Sequence, residues 1–269
     1  MQEKTRIAAI QMVSCPRVAD NLAEAGRLIE QAAKRGAKLA VLPEYFCIMG
    51  MKDTDKVAVR ELDGDGPIQA FLSNAARQHG LWIVGGSVPL VASDAGRVLN
   101  TCLVFDNTGK RVARYDKIHL FGFEMGSEAY HEERTIEPGR APVTLDTPFG
   151  KLGLSICYDL RFPELYRTMT GVDIIFAPSA FTETTGRAHW ETLLRARAIE
   201  NLAYVVAAAQ GGIHENGRET HGDSMIVDPW GEVLDRLPRG AGVVIADINQ
   251  ERARGLRQSL PALRHRVIV

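Results

Sequence analysis

Cys157, Glu44 and Lys117 are the three side chains whose types and places in the chain could together cleave an acyl bond. Cys157 closes the short apolar run 151–157, and Pro163 opens a helix just beyond it. The carboxyl end of a strand is where open α/β sheets bind ligands, and a helix start offers donor groups and positive potential that favour a thiolate. Taken alone, the residue reads as a buried structural Cys, because free Cys is among the most buried residue types. Its reading as a nucleophile depends on partners, and the chain supplies two. Glu44 emerges at the carboxyl end of the apolar stretch 38–43, and Lys117 follows the stretch 111–115.

A thiol of ordinary pKa, about 8.5, is only slightly ionised at neutral pH and needs a base or a cationic neighbour to attack a carbonyl. Glu44 is the candidate base. A carboxylate facing a thiol in a dry pocket is suited to take the thiol proton and later return it to a leaving amine. A fixed Lys117 ammonium favours both the thiolate and the oxyanion of a tetrahedral intermediate. The competing arrangement is a Cys–His pair with His119, His189 or His221, none of them marked out by position. Two other chemistries are set aside. Gly153-Leu-Ser155-Ile-Cys157 is close to the G-x-S-x-G elbow of serine hydrolases but has Cys where the last Gly belongs, and His131-Glu132 begins like H-E-x-x-H but lacks its second His. No His/Cys cluster has ligand spacing, so no metal or other cofactor is expected.

These residues must be carried by strands and helices that bring them together. Apolar runs at 6–12, 38–43 and 81–88 read as strands, with helices at 18–35 and 68–79 between them. A hairpin follows at 100–105 and 111–115 across Asp106-Asn-Thr-Gly109, then a polar stretch without sustained period, 121–139, which reads as a long functional loop. The order then repeats: strand 151–157, helix 163–170, strand 173–178, helix 186–201, strand 203–210 and a hairpin at 223–227 and 232–236. Two similar halves of this kind predict one domain over 1–269, an α/β four-layer αββα sandwich with the site where the strand ends of the halves converge.

The 269 residues are 45% hydrophobic and 24% charged, with a net charge of -1, an ordinary globular composition. That balance argues against a nucleic-acid or anionic-membrane surface, and no run approaches the roughly 20 apolar residues of a membrane span. A small molecule is the expected partner. Cys15, Cys47, Cys102 and Cys157 are far apart, and no apolar signal stretch opens the chain, so a reducing, cytoplasmic location is expected.

With Glu, Lys and Cys at successive strand ends, the chain resembles the nitrilase superfamily of carbon-nitrogen hydrolases from about Arg6 to about Arg266. The matches are Leu42-Pro-Glu44, Asp116-Lys117-Ile-His-Leu120, Cys157-Tyr-Asp-Leu-Arg161-Phe-Pro-Glu164, Pro178-Ser-Ala-Phe181 and the segment 186–200. The resemblance implies Glu44 as general base and acid, Lys117 as oxyanion support and Cys157 as nucleophile. It adds Glu132, in Tyr130-His-Glu-Glu, as a second active-site glutamate that positions the lysine and substrate. The likeness is greatest to the Nit subfamily, whose members act on deaminated glutathione or on α-ketoglutaramate, and it implies a homodimer or larger homo-oligomer. The reaction expected is hydrolysis of a small carboxylate-bearing primary amide, of the deaminated glutathione type, to acid and ammonia through a Cys157 thioester, with the Tyr158 backbone N–H helping to hold the oxyanion. Arg161, Arg187 and Arg195 are the candidates to meet substrate carboxylates, with Phe181 and Trp190 as possible walls. Asp223, where many Nit proteins have His, and a tail that ends at Val269, short of relatives' dimer-forming segment, depart from the pattern. A non-catalytic scaffold or a thiol sensor built on Cys157 is the alternative of a different class.

Overall fold

The computed structural model describes residues 4–126 and 128–268, so the final residue of the tail, Val269, lies outside them. In the first half the strands Thr5–Gln11, Leu39–Val41 and Trp82–Val84 run parallel, and Ile7, Leu39 and Trp82 stand in one register row. Val98–Phe105 then pairs antiparallel to the third strand, and Arg111–Asp116 antiparallel to that. The second half repeats the pattern. Gly150–Leu154, Ile174–Phe176 and Tyr204–Ala207 are parallel, with Leu152, Ile174 and Tyr204 in one row, and Ser224–Val227 and Val233–Leu237 follow antiparallel.

Period-two alternation assigns each strand face to a layer. In Thr5–Gln11, Ile7 and Ala9 belong to a core shared with Leu152, Leu154 and Phe176 of the second sheet, whereas Ala8 and Ile10 pack with Leu28, Ile29 and Leu72. The last three sit on the helices Val18–Lys34 and Pro67–His79, which therefore cover the outer face of the first sheet. Gly153 faces Met169 and Val172 on the opposite side from Leu152 and Leu154. The helix Glu183–Asn201 contributes Trp190, Leu194 and Ala198 to the packing of the second half. The architecture is the expected αββα sandwich.

Several features differ from the sequence expectation. The predicted strand 81–88 breaks after Val84, and Val88–Val91 is a strand of its own paired with Val98–Phe105. The break is set by Gly86, whose φ is +54° and where a Cβ would lie 2.1 Å from the Pro43 carbonyl oxygen. The polar stretch 121–139 holds a hairpin, Gly122–Met125 with Glu128–His131. Each sheet also gains an antiparallel strand outside its first parallel strand, Gly242–Ile248 in the first and Val143–Thr147 in the second. The helix Gln250–Ser259 follows the former. No helix among the described residues is long and apolar enough to cross a membrane.

Candidate active site

The three strand ends named from the sequence are each held by backbone geometry. Glu44 leaves Leu39–Val41 through a turn in which Leu42 N donates to the Val84 carbonyl at 3.0 Å, and Tyr45 takes a left-handed φ of 56°. Ser87 Oγ accepts from Tyr45 N at 2.9 Å, and Gln210 Nε2, from the other half, donates to the Glu44 carbonyl at 3.0 Å. Lys117 is gripped on both sides: its N–H donates to the Asn100 carbonyl at 2.9 Å and its carbonyl accepts from Gly139 N at 2.7 Å. Gly139 packs so closely that a Cβ there would stand 2.0 Å from the Asp116 carbonyl oxygen.

Cys157 has a φ of +50°, a conformation costly for any residue with a Cβ, and its N–H donates to the Pro178 carbonyl at 2.9 Å. The sharp strand-to-helix turn that the missing glycine argued against is therefore present, with the nucleophile candidate itself at its bend. Asp159, fully buried, organises it. Its carboxylate accepts from Ile156 N at 2.8 Å, Tyr115 Oη at 2.7 Å and His119 N at 3.1 Å, and lies 2.7 Å from His119 Nδ1.

One cation sits between two carboxylates at the centre. Lys117 Nζ, completely buried, donates to Glu44 Oε1 at 2.8 Å and to Glu132 Oε2 and Oε1 at 2.7 and 3.0 Å. Glu44 Oε1 also accepts from Asn100 Nδ2 at 2.9 Å, while Glu132 accepts from Tyr45 Oη and Phe121 N, both at 2.7 Å. Burial works against the Lys117 charge, but Glu132 and Glu44 outweigh it and hold the ammonium well above its ordinary range. Burial likewise pushes the Glu132 carboxyl up, and Lys117 reverses this to leave it below its usual value. The Cys157 thiol goes the other way from the sequence expectation. Burial raises it well above an ordinary thiol, Glu44 adds to the rise, and Lys117 opposes it only in part. The helix start expected to favour the thiolate is a single 3-10 turn, Cys157–Arg161, too short to offset desolvation. Burial thus opposes ionisation of this thiol, which a neighbouring base would have to promote.

A narrow cleft opens over these groups, and Glu44, Glu132, Cys157, Tyr158, Arg161 and Phe181 all line it. Lys117 lies beneath, reached through Glu44 and Glu132. Tyr158 follows Cys157 in the first turn of the 3-10 segment, where N–H groups lack partners within the helix. Arg161 packs between the rings of Tyr158 and Phe181, at 5.8 and 5.2 Å. The fold does not bring Arg187 to the cleft: its side chain is 78% exposed and pairs with Glu183 at 2.7 Å. Arg195 bonds the Gly231 carbonyl, and Trp190 stands behind Phe181, its Nε1 on the Asp223 carbonyl. Asp223 is likewise outside the cleft and pairs with Arg236. Of the histidines considered as bases, His119 is committed to Asp159, His221 to Glu183, and His189 to Arg161, and none of them lines the cleft. Among the described residues no group of three or more His, Cys, Asp or Glu side chains is placed to hold a metal ion.

Sequence reasoning passed over Asn100, Tyr45, Asp159 and Arg218. Asn100 and Tyr45 act through Glu44 and Glu132, and Asp159 through the turn, so only folding reveals them. Arg218 lines the cleft from the hairpin Gly211–Ile213 with Glu219–His221, in a polar stretch with no period.

Residues 6–258 match the family described as carbon-nitrogen hydrolase. The chain is 44% identical over 268 residues to a deaminated glutathione amidase of Synechocystis, covering 97% of this chain and 98% of that one. It is 39% identical over 270 residues to the deaminated glutathione amidase of Mus musculus, covering 97% and 82%. Its structure aligns with that of Saccharomyces cerevisiae Nit3, a member of branch 10 of the nitrilase superfamily, at a TM-score of 0.87 and 32% identity over 96% of this chain and 95% of that one. The chain belongs to the carbon-nitrogen hydrolase family and is an amidohydrolase.

Proposed function

We propose that the protein hydrolyses the amide of deaminated glutathione through a thioester on Cys157. The observation that carries this is the buried Glu44–Lys117–Glu132 network beside a thiol whose ionisation burial opposes, together with the relatives that bear that name. Glu44 takes the Cys157 proton as the sulfur attacks the carbonyl carbon. Lys117 and the Tyr158 N–H stabilise the negative oxygen that forms. Glu44 returns the proton to the leaving nitrogen, the C–N bond breaks, and the acyl group remains on sulfur. A water deprotonated by Glu44 then cleaves the thioester and the proton returns to sulfur. Glu132 orients Lys117, and Arg161, which pairs with no carboxylate among the described residues, receives the carboxylate of the oxo-acid end.

Ammonia is the product only for a primary amide such as α-ketoglutaramate. Deaminated glutathione is joined through a secondary amide, so its cleavage releases an oxo-dicarboxylic acid and the dipeptide cysteinylglycine. Purified protein incubated with each compound, with oxo acid, ammonia and dipeptide quantified, separates the two substrates. The proposal expects dipeptide release that a thiol alkylator abolishes stoichiometrically and that Cys157→Ala lacks. Wild-type turnover in Cys157→Ala overturns the mechanism, and alkylation of an enzyme with no turnover of either compound favours a thiol sensor. A cytoplasmic homo-oligomer is proposed on family likeness alone, and size-exclusion with light scattering tests the assembly.

A further inference from the structure

Beyond the cleft lies a second, open hollow, of about 360 Å³, between the segment 45–56, the Glu128–His131 strand and the turn before Arg218. Two of its lining residues join it to the catalytic centre. Arg218 lines both spaces, and Tyr45, on the cavity wall, donates its hydroxyl to Glu132 in the cleft. The cavity carries two basic side chains, Lys56 and Arg218, that make no ion pair with a carboxylate among the described residues. Arg218 Nη2 donates to the Ala180 carbonyl at 2.9 Å and the guanidinium lies 5.1 Å from the Tyr130 ring, but it has no carboxylate partner among the described residues. Its Nε is the one buried side-chain polar atom among the described residues with no hydrogen-bond partner. Lys56 Nζ stands 5.4 Å from the Tyr45 ring and donates only to Thr135 Oγ1, at 3.3 Å. Two basic side chains without an ion-pair partner among the described residues, facing one cavity, mark a place for an anion.

The remaining charges of the cavity are Lys52, Asp53 and Glu128. Glu128 accepts from the Thr184 hydroxyl, the Lys52 backbone N–H donates to Asp55, and Glu132 and Asp53 are the acids whose fields reach Lys56. Burial lowers Lys56 despite Glu132 and Asp53, and an anion bound beside it would oppose that lowering.

We infer that Lys56 and Arg218 form a leaving-group subsite that binds the terminal carboxylate of the amine half of the substrate. This deepens, and rests on, the proposed cleavage of deaminated glutathione. The leaving half of that compound is two residues long, at most about 7 Å when extended, and ends in a carboxylate. A substrate that releases ammonia has nothing to place there. The subsite therefore selects secondary amides that carry an anion on the amine side, while Arg161 selects the acyl side.

The test compares kcat/KM of the full-length protein for deaminated glutathione, for its C-terminal carboxamide, and for α-ketoglutaramate. The wild type is expected to lose about ten- to a hundredfold on the carboxamide, through KM, as for one charge-assisted contact. In Lys56→Met and in Arg218→Gln that penalty is expected to shrink, and the preference for deaminated glutathione over α-ketoglutaramate to fall about tenfold, with Arg218→Lys recovering part of it. Equal KM for acid and carboxamide in the wild type overturns the subsite alone and needs no variant to fold. Turnover of α-ketoglutaramate without any turnover of deaminated glutathione overturns the underlying substrate reading and the subsite with it.

Discussion

Replacing Glu132 by Gln keeps the shape of the side chain and removes one of the two charges that hold Lys117, which makes it the sharpest probe of the buried network. In the native protein Glu132 Oε2 accepts from Phe121 N and Lys117 Nζ, while Oε1 accepts from Tyr45 Oη and Lys117 Nζ. The Phe121 N–H can only donate, so the amide oxygen of Gln must take the Oε2 place and its NH2 the Oε1 place. Lys117 then loses one charge-assisted bond, faces a second donor at 3.0 Å, and keeps only a neutral acceptor at 2.7 Å. Losing one such bond and weakening the other amounts to about 3–4 kcal/mol. If this is expressed in the transition state, where the ammonium must sit under the oxyanion, kcat falls about 10²–10³-fold. KM should move by less than about fivefold, because the ground-state carboxylate contacts lie elsewhere. The freed ammonium also turns wholly to Glu44, which makes that carboxylate a poorer base. The assay is steady-state release of oxo acid, with circular dichroism to confirm folding. A folded Glu132→Gln enzyme with kcat within about threefold of wild type would refute the reasoning and show that Glu44 alone suffices to place Lys117.

The same pair has a pH signature. Glu132 is held below its ordinary value of 4.5, so its stabilisation is fully present above that pH and is lost as pH falls through the folded value. The difference in Tm between wild type and Glu132→Gln is therefore expected to be full near neutrality and to close in acid, as thermal melts across pH will show. Asp159→Ala leaves buried donors of Ile156, Tyr115 and His119 unpaired, a loss of about 3–5 kcal/mol that should lower Tm by roughly 6–20 °C, measured by calorimetry. Arg187→Ala, on an exposed side chain paired only with Glu183, should leave kcat/KM within about twofold, whereas Arg161→Met should raise KM about tenfold or more.

What could be read from the chain followed local periodicity. The parallel strands and the helices 18–35 and 186–201 are announced by their own apolar spacing, and the family motifs carry Glu44, Lys117, Cys157 and Glu132. The strand Gly242–Ile248 was passed over although Val243-Val-Ile-Ala246 is an apolar run; what no local pattern shows is its pairing with Thr5–Gln11 at the far end of the chain. The hairpin Gly122–Met125 with Glu128–His131 escaped because none of its described residues is buried, so no alternation of apolar residues marks it. Arg187 was named and Arg218 was not for a similar reason. An arginine's use depends on which carboxylates fold beside it: Glu183 beside the first, none among the described residues beside the second.

The left-handed backbone at Cys157 reaches beyond catalysis into what this sequence can become. A residue with a Cβ is held there at a cost of roughly 1–2 kcal/mol, and only glycine would sit there freely. Cys157→Gly should therefore give an inert protein that melts higher than Cys157→Ala. Selection for thermal robustness alone would favour that exchange, so under the proposed mechanism the thiol is kept at this bend by the need for turnover. The same fact recommends the glycine variant as the sturdier trap for holding uncleaved substrate in the cleft.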